Sequence, residues 1–501
     1  MNPGVMAAGS VTIDLADETA TIAFGEDVAM ILRKGDVVAL SGDLGAGKTT
    51  LARAIIRALA GDPRLEVPSP TFTLVQTYDL GRIGLAHLDL YRLSSPDELD
   101  ELGLDEAMGE GAALIEWPER GGDRLPPERV EIALDIAGTG RRAIVTGAAD
   151  LAGRIARSRA VRAFLDGAGF AGATRRHLQG DASTRRYERV RLGDREAVLM
   201  DWPGRAAGAA SADPRVAFRA HDVRAFIAVD AALREAGFSA PAILATDTRA
   251  GFLLLEDLGA EGVLLDDGTP DPDRYGLVID LLATIHTTPR PAVLAPPGGH
   301  HHRLLPLGME ALTAEIALFN DWYVPLATGG RLPPDARADF DVIWAGLFAR
   351  LAKTEASWVL FDVQAPNLLW LAGREGLARI GLLDFQDMFL GPTAYDVASL
   401  CQDPRVTVPA PLEVALRERY LGRRRNDAGF DEEAFLEAYA ILAAERVLKN
   451  LGVFARLALH AGKREYLAHV PRLCEYLSRA LAHPVLRGYA QWHARHLPPL
   501  P

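Results

Sequence analysis

Short apolar runs, each broken by a glycine, a proline or a carboxylate, recur along the first 150 residues of this chain. Val37–Leu40 is one, and Leu74–Tyr78, Leu85–Arg92, Ala112–Ile115, Ile132–Leu134 and Ala143–Thr146 are others. Runs of that length read as strands. After the first of them the period changes: Leu51, Ile55 and Leu59 fall at i, i+4 and i+8, which predicts a helix over Thr50–Ala60 with Gly61 and Pro63 as its stop. Strands alternating with helix predict an α/β fold for this part. The pattern then changes character. Arg154–Leu165 reads as a basic helix, and Leu178–Val190 as strand, polar turn and strand. Ala197–Met200 and Leu253–Leu255 are further strands, and a hairpin is predicted from 368–371, a turn at Gly373–Gly376 and a strand over 377–383. Phe319, Trp322 and Tyr323, at i, i+3 and i+4, read as helix core. This second region is α+β.

Between the first strand and its helix stands Gly42-Asp43-Leu44-Gly45-Ala46-Gly47-Lys48-Thr49, a complete P-loop running into Thr50. Its glycines let backbone N–H groups curl around phosphate oxygens, Lys48 can reach the β- and γ-phosphates, and the Thr49 hydroxyl can hold Mg²⁺. This stretch binds a nucleoside triphosphate. Further on, Val67–Thr73 carries two prolines around hydroxyl side chains, a loop that can serve as a γ-phosphate switch or as a plain connection. Asp89 ends one strand as a metal-facing carboxylate of the Walker-B kind. Glu116 and Trp117 end the next, where an open α/β sheet places its chemistry.

Composition changes this picture little, charge more so. Two cysteines in 501 residues exclude a disulfide framework and fit a reducing cytoplasm. The N-terminus lacks a signal-peptide pattern, and no run is long enough to span a bilayer. Residues 1–150 hold 25 acidic against 13 basic side chains, so nearly all of the formal charge of −13 lies there. Such a surface repels a nucleic-acid backbone, so no direct nucleic-acid binding is expected; a protein partner with a basic face suits it better, and a surface that merely keeps the protein in solution suits it equally.

The second region has its own chemistry. Trp358–Trp370 contains Asp362 and Asn367 at the Asp-x-x-x-x-Asn spacing of a kinase catalytic loop, and the hairpin that follows ends in Asp384. In that pattern the first Asp accepts the substrate hydroxyl proton, while Asn and the second Asp hold metal. The turn with Gly180, Ser183 and Arg185 could meet phosphates, and Glu256-Asp257 could form a hinge whose backbone meets adenine. His300–His302 reads as a solvated loop and His286 as structural.

The strings SGDLGAGKTTLAR, VPSPTFTLV, HLDLYRL, DELDELGLDE and LIEWPER, in that order over residues 10–147, resemble the TsaE (YjeE) family. This resemblance implies an ATPase of the bacterial machinery that makes N6-threonylcarbamoyladenosine on tRNA, docked on that machinery's protein subunits. It implies that Lys48 contacts phosphates, Thr49 and Asp89 serve Mg²⁺, Glu116 is essential for hydrolysis, Trp117 lies near the nucleotide and Thr71 sits in a switch-like loop.

The strings GDASTRRYERV, LLLEDLG, DVQAPNLLW, ARIGLLDFQD, GPTAYDVASL and VLKNLGVFARLA resemble the aminoglycoside phosphotransferase superfamily and, within it, the AmgK-type anomeric kinases of cell-wall amino sugars. The resemblance implies a two-lobed, protein-kinase-like α+β domain that uses ATP and Mg²⁺, with N-acetylmuramic acid or N-acetylglucosamine as acceptor in peptidoglycan recycling. Asp362 would be its base, Asn367 and Asp384 its metal ligands and Asp396 a structural aspartate. Two departures stand out: Gln364 replaces the family's histidine, and the strand 197–200 has no lysine to pair with phosphates, a place that Arg185 or Arg186 could fill. They leave open a pseudokinase that regulates the ATPase, or another hydroxylated acceptor such as choline or an aminoglycoside. The expected organisation is a P-loop domain at 1–149 and a kinase domain at 152–501, with lobes at about 152–257 and 258–501.

Overall fold

The structure is a computed structural model that describes residues 10–178, 185–204, 220–287, 290–296 and 301–500. Its contacts divide the chain into two units: residues through Trp202 together with Leu244–Asp257, and the remainder.

The first unit opens with β1 (Val11–Leu15) and helix α1 (Glu18–Ala29), followed by β2 (Val37–Ser41) and the P-loop helix α2 (Lys48–Ala60). Then come β3 (Val75–Asp79), β4 (Gly84–Asp89), the short helix α3 (Leu104–Glu110) and β5 (Gly111–Glu116). The hairpin β6 (Val130–Ala137) and β7 (Gly140–Gly147) completes a seven-stranded sheet in the order β1-β7-β6-β2-β5-β4-β3. β2 pairs in parallel with β5 and β6, and β5 with β4. Val38 and Leu40 of β2 point into one core, whereas Val37 and its neighbours Ala113 and Ile115 point into another. Both faces are covered, so the strand reads as a continuous apolar run rather than an alternating one. Helix α1 crosses α2 at Gly25, where a Cβ would stand 2.5 Å from that of Ala54.

Most predicted elements form, with shifted ends. β3 starts at Val75 because Leu74 takes a left-handed conformation (φ 64°). β4 stops at Asp89, short of the apolar Leu90. The predicted basic helix begins earlier, as α4 (Ala149–Leu165), and so runs across the expected domain boundary between 149 and 152. From it the chain enters a second sheet of β8 (Thr174–Leu178), β9 (Arg186–Leu192), β10 (Arg195–Asp201), β11 (Ile243–Asp247) and β12 (Phe252–Glu256), in the order β11-β12-β10-β9-β8. Charged side chains tie α1, α4, β8 and β9 together: buried Asp27 accepts from Arg162 Nε at 2.7 Å and from an Arg175 guanidinium N–H at 2.6 Å, and Arg175 also meets both oxygens of Glu188.

The second unit is largely helical. Its longest helix, Glu432–His460, packs against Met309–Leu318 and the π-helical turn Phe319–Tyr323 that continues it. Phe319 is buried there and stacks on Tyr323 at 5.3 Å. Two short antiparallel strand pairs, Ala356–Val359 with Phe389–Pro392 and, between them in the chain, Leu368–Trp370 with Ile380–Leu382, carry the loops of interest. The predicted strand over 377–383 is shorter, because Gly376–Arg379 forms a 3₁₀ turn first. His286 is buried with Nδ1 2.8 Å from the Tyr420 hydroxyl, and no helix among the described residues is long and apolar enough to cross a membrane.

Candidate nucleotide and phosphoryl-transfer sites

The first site forms where β2, β4 and β5 end together. The parallel register sets Asp89 beside Glu116, and Glu116 beside Leu40 at the start of the P-loop. Gly42 holds φ 133°, and a Cβ there would lie 2.3 Å from the Leu134 carbonyl oxygen, so both backbone and space demand glycine. Buried Lys48 donates to the carbonyls of Gly42 (2.7 Å) and Asp43 (3.0 Å), and its ammonium lies 3.5 Å from the centre of the Trp117 ring. Burial lowers its pKa, opposed chiefly by the Glu116 charge. Thr49 Oγ1 donates to Glu116 Oε2 at 2.8 Å, and His87 Nε2 lies 2.9 Å from Oε1 of the same carboxylate. Asp89 accepts from Thr71 (2.6 Å), Ser69 (3.3 Å) and the backbone of Tyr91 (3.0 Å). Lys48, Thr49, Ser69, Thr71, Asp89 and Glu116 line a cleft of about 310 Å³, with Leu44, Gly45, Gly47, Thr50, Tyr91 and Trp117. That volume and mixed lining suit a small ligand with polar groups at one end.

In the first unit, Glu256 closes β12 opposite Ala197 of β10, and Asp257 accepts from Arg189 Nε at 2.7 Å. Arg185 lies 5.3 Å from the Trp202 ring, whereas Gly180 and Ser183 lie outside the described residues. In the second unit the Asp362 loop is tightly tied. Asp396, wholly buried, accepts from the N–H groups of Leu360 (2.7 Å) and Phe361 (3.0 Å). Asp403 accepts from Ala365 N–H at 2.7 Å. Asn367 donates its side-chain amide to the Asp362 carbonyl at 2.9 Å, and its own carbonyl accepts from Leu383, next to Asp384. Gln386 donates to Asp384 Oδ1 at 2.9 Å. Phe361 (φ 78°) and Asp384 (φ 57°) both sit in the left-handed region. Such conformations cost non-glycine residues about 1–3 kcal/mol and persist where surroundings enforce them.

Comparison with known proteins decides the kinship of each part. The family model for "Threonylcarbamoyl adenosine biosynthesis protein TsaE" matches residues 15–144, and that for "Phosphotransferase enzyme family" matches residues 174–439. The N-acetylmuramate/N-acetylglucosamine kinase of Caulobacter vibrioides is 38% identical over 362 residues, covering 68% of this chain and 97% of that protein. The tRNA threonylcarbamoyladenosine biosynthesis protein TsaE of Rickettsia felis is 39% identical over 138 residues, covering 27% of this chain and 80% of that protein. The TsaE protein of Bacillus subtilis is 43% identical over 129 residues, 26% of this chain and 78% of that protein. The chain belongs to both families.

It is thus a bifunctional chain, a TsaE ATPase followed by a phosphotransferase, and both families use ATP. The TsaE cleft brings together Lys48, Thr49, Asp89, Glu116 and Trp117, all named from sequence. Asp43 reaches the site through its carbonyl and Leu44 is 81% exposed at its rim. Three of its residues escaped sequence reasoning. His87 shares a strand face with Asp89, two positions away, and that spacing was its signal. Ser69 stood among the loop hydroxyls, but nothing local marked its reach to Asp89. Arg141 braces the P-loop by donating to the Gly45 and Ala46 carbonyls from 95 or so residues away, which no local pattern reveals. In the phosphotransferase, hydrogen bonds link Asp362 through Asn367 to the residue before Asp384. Gln364 contributes its backbone carbonyl to Asn367 N–H. Among the described residues no group of three or more His, Cys, Asp or Glu side chains could hold a metal ion, and Thr49 and Asp89 line the P-loop cleft together.

Proposed function

We propose that the TsaE domain, residues 1–149, hydrolyses ATP for the tRNA N6-threonylcarbamoyladenosine machinery while docked on that machinery's protein subunits. The phosphotransferase domain, residues 152–501, transfers the γ-phosphate of ATP to the anomeric hydroxyl of N-acetylmuramic acid or N-acetylglucosamine. The convergence of Lys48, Thr49, Asp89 and Glu116 on one cleft supports the first half. The Asp362–Asn367 turn, together with the 97% coverage of an amino-sugar kinase, supports the second.

Hydroxyl, carboxylate and amide oxygens at 49, 89, 367 and 384 are hard donors of the kind that magnesium takes, so both sets fit Mg²⁺. Bound with ATP, the ion would neutralise charge on the transferring phosphoryl group. Lys48 gives up the Gly42 and Asp43 carbonyls and turns its charge to the phosphates. The Gly42–Thr50 backbone supplies N–H groups, and Trp117 packs near the nucleotide. Glu116, held by His87 and Thr49, orients the attacking water. In the second domain Asp362 accepts the proton of the sugar hydroxyl. An anomeric hydroxyl is an acidic alcohol, so a carboxylate suffices as base. Arg185 supplies a cation for the phosphates, and the Glu256-Asp257 backbone meets adenine.

The test uses the full chain. Asp362→Asn is expected to abolish phosphorylation of N-acetylmuramic acid and to spare hydrolysis at the P-loop, and Lys48→Ala to do the reverse. Assays of phosphosugar and of partner-stimulated ADP release read the two activities. Loss of both from one substitution would refute independent sites. Turnover of choline or an aminoglycoside in place of the sugars would refute the acceptor, and no transfer to any acceptor would favour a pseudokinase.

A further inference from the structure

Behind the Asp362 loop lies a charged cluster that the proposed chemistry does not use. Helix Glu432–His460 is hydrophobic for most of its length, yet one stretch of it places Glu445, Arg446 and Lys449 against the protein interior. Arg446 is buried and donates to the Phe361 carbonyl at 3.3 Å, one residue before the base. Its guanidinium also lies 4.8 Å from the Tyr395 ring, and Tyr395 stacks on Phe361 with ring centres 5.5 Å apart and planes 16° from parallel. Lys449 places its ammonium 4.5 Å from the Phe361 ring and is itself fixed by Glu315, 2.7 Å away. Phe361 is therefore gripped at its carbonyl, by an aromatic ring and by an ammonium, while its backbone stays left-handed at φ 78°.

We infer that Arg446 and Lys449 are positioning residues for phosphoryl transfer, which hold the strained Phe361 turn so that Asp362 meets the acceptor hydroxyl. The inference rests on the reading of Asp362 as the base. Its physical basis is the steepness of the rate with geometry: a misplacement of about 1 Å can cost about 100-fold. Burial disfavours the Arg446 charge, but Tyr395 and Asp362 beside it more than compensate and hold its pKa above the ordinary value. The grip is thus a permanent cation rather than a titrating one. It also accounts for the segment VLKNLGVFARLA, whose Lys449 would otherwise be an expensive residue to bury beside an aromatic ring.

The experiment compares full-length wild type with Arg446→Met, Arg446→Lys and Lys449→Met, following phosphosugar formation from ATP and N-acetylmuramic acid. Arg446→Met is expected to lower kcat by at least about 30-fold, with KM for sugar and for ATP within about threefold of wild type. Arg446→Lys should recover part of kcat. Lys449→Met, which removes the ammonium beside the Phe361 ring but leaves the Phe361 carbonyl held, should lower kcat by about tenfold with the same unchanged KM. A raised KM for the sugar with kcat intact would make these residues acceptor contacts instead, and unchanged kinetics would remove them from the reaction; either result overturns the inference. Should wild type transfer no phosphate to the sugar, the acceptor reading falls by itself. Crystal structures of wild type and Arg446→Met then decide the positioning: Phe361 should leave the left-handed region in the variant, and an unmoved turn overturns it.

Discussion

Glu116 receives a Thr49 hydroxyl on one oxygen and faces His87 with the other, so its carboxylate is fixed in direction before any ligand arrives. Fixed dipoles and charges of that kind cost no reorganisation during reaction. Glu445 shows the opposite use of burial. It lies wholly inside the second unit beside Glu315, and burial first, then that neighbouring carboxylate, raises its pKa above the ordinary 4.5. From about 4.5 upward the unfolded chain releases this proton while the native state keeps it, so stability falls as pH rises through that window. Glu445→Gln removes the penalty. The variant is expected to match wild type near pH 4.5 and to exceed it by about 1–3 kcal/mol near pH 8, as read from urea unfolding at each pH. A constant difference across pH would contradict a shared or retained proton.

At the scale of elements, motif-bearing pieces were the legible ones. The P-loop, its strand and its helix follow from local chemistry: glycines at φ 133°, 80° and 108°, and an apolar stripe on Leu51, Ile55 and Leu59. The hairpin before Asp384 was legible for the same reason, because glycines mark its turn. The π-helical turn Phe319–Tyr323 was not. Its i, i+3, i+4 aromatics look like ordinary helix, and the extra residue per turn is stabilised only by what packs on it. There, Gly452 of the long helix comes so close that an added Cβ would stand 2.3 Å from the Leu318 carbonyl carbon. Gly452→Ala should therefore push two helices apart, although alanine favours helix intrinsically. The expected cost is about 1–3 kcal/mol in thermal or denaturant unfolding, and a stabilised variant would mean that the helices do not meet so closely. β1 and α1 carried no motif at all, yet they complete the first sheet and its helical cover.

At the scale of the whole molecule, the observation with most consequence is the ion network inside the first unit. Asp27 of α1, wholly buried, faces Arg162 of α4 and Arg175 of β8, and Arg175 continues to Glu188 of β9. A carboxylate from the stretch matched to TsaE thus meets a cation from the stretch matched to the phosphotransferase family. Removing a single partner from such a network strands the others without compensation, at a cost of about 3–5 kcal/mol. Asp27→Ala is expected to destabilise the first unit by about that amount in calorimetric unfolding. A loss below about 1 kcal/mol would mean that Arg162 and Arg175 are satisfied by Glu26 and Glu188 alone. What the sequence determined by itself are the groups placed by neighbours in the chain: a glycine-rich P-loop, an aspartate and an asparagine five residues apart, the carboxylates that end strands and a hairpin. These need only local backbone geometry, and local geometry is written in glycines and in the spacing of apolar residues. What tertiary structure alone decided is every interaction whose partners lie far apart along the chain. His87 meets Glu116, Arg141 braces the P-loop, Asp27 is shared, and Arg446 grips Phe361, because the fold removes these groups from water and leaves them only each other as partners.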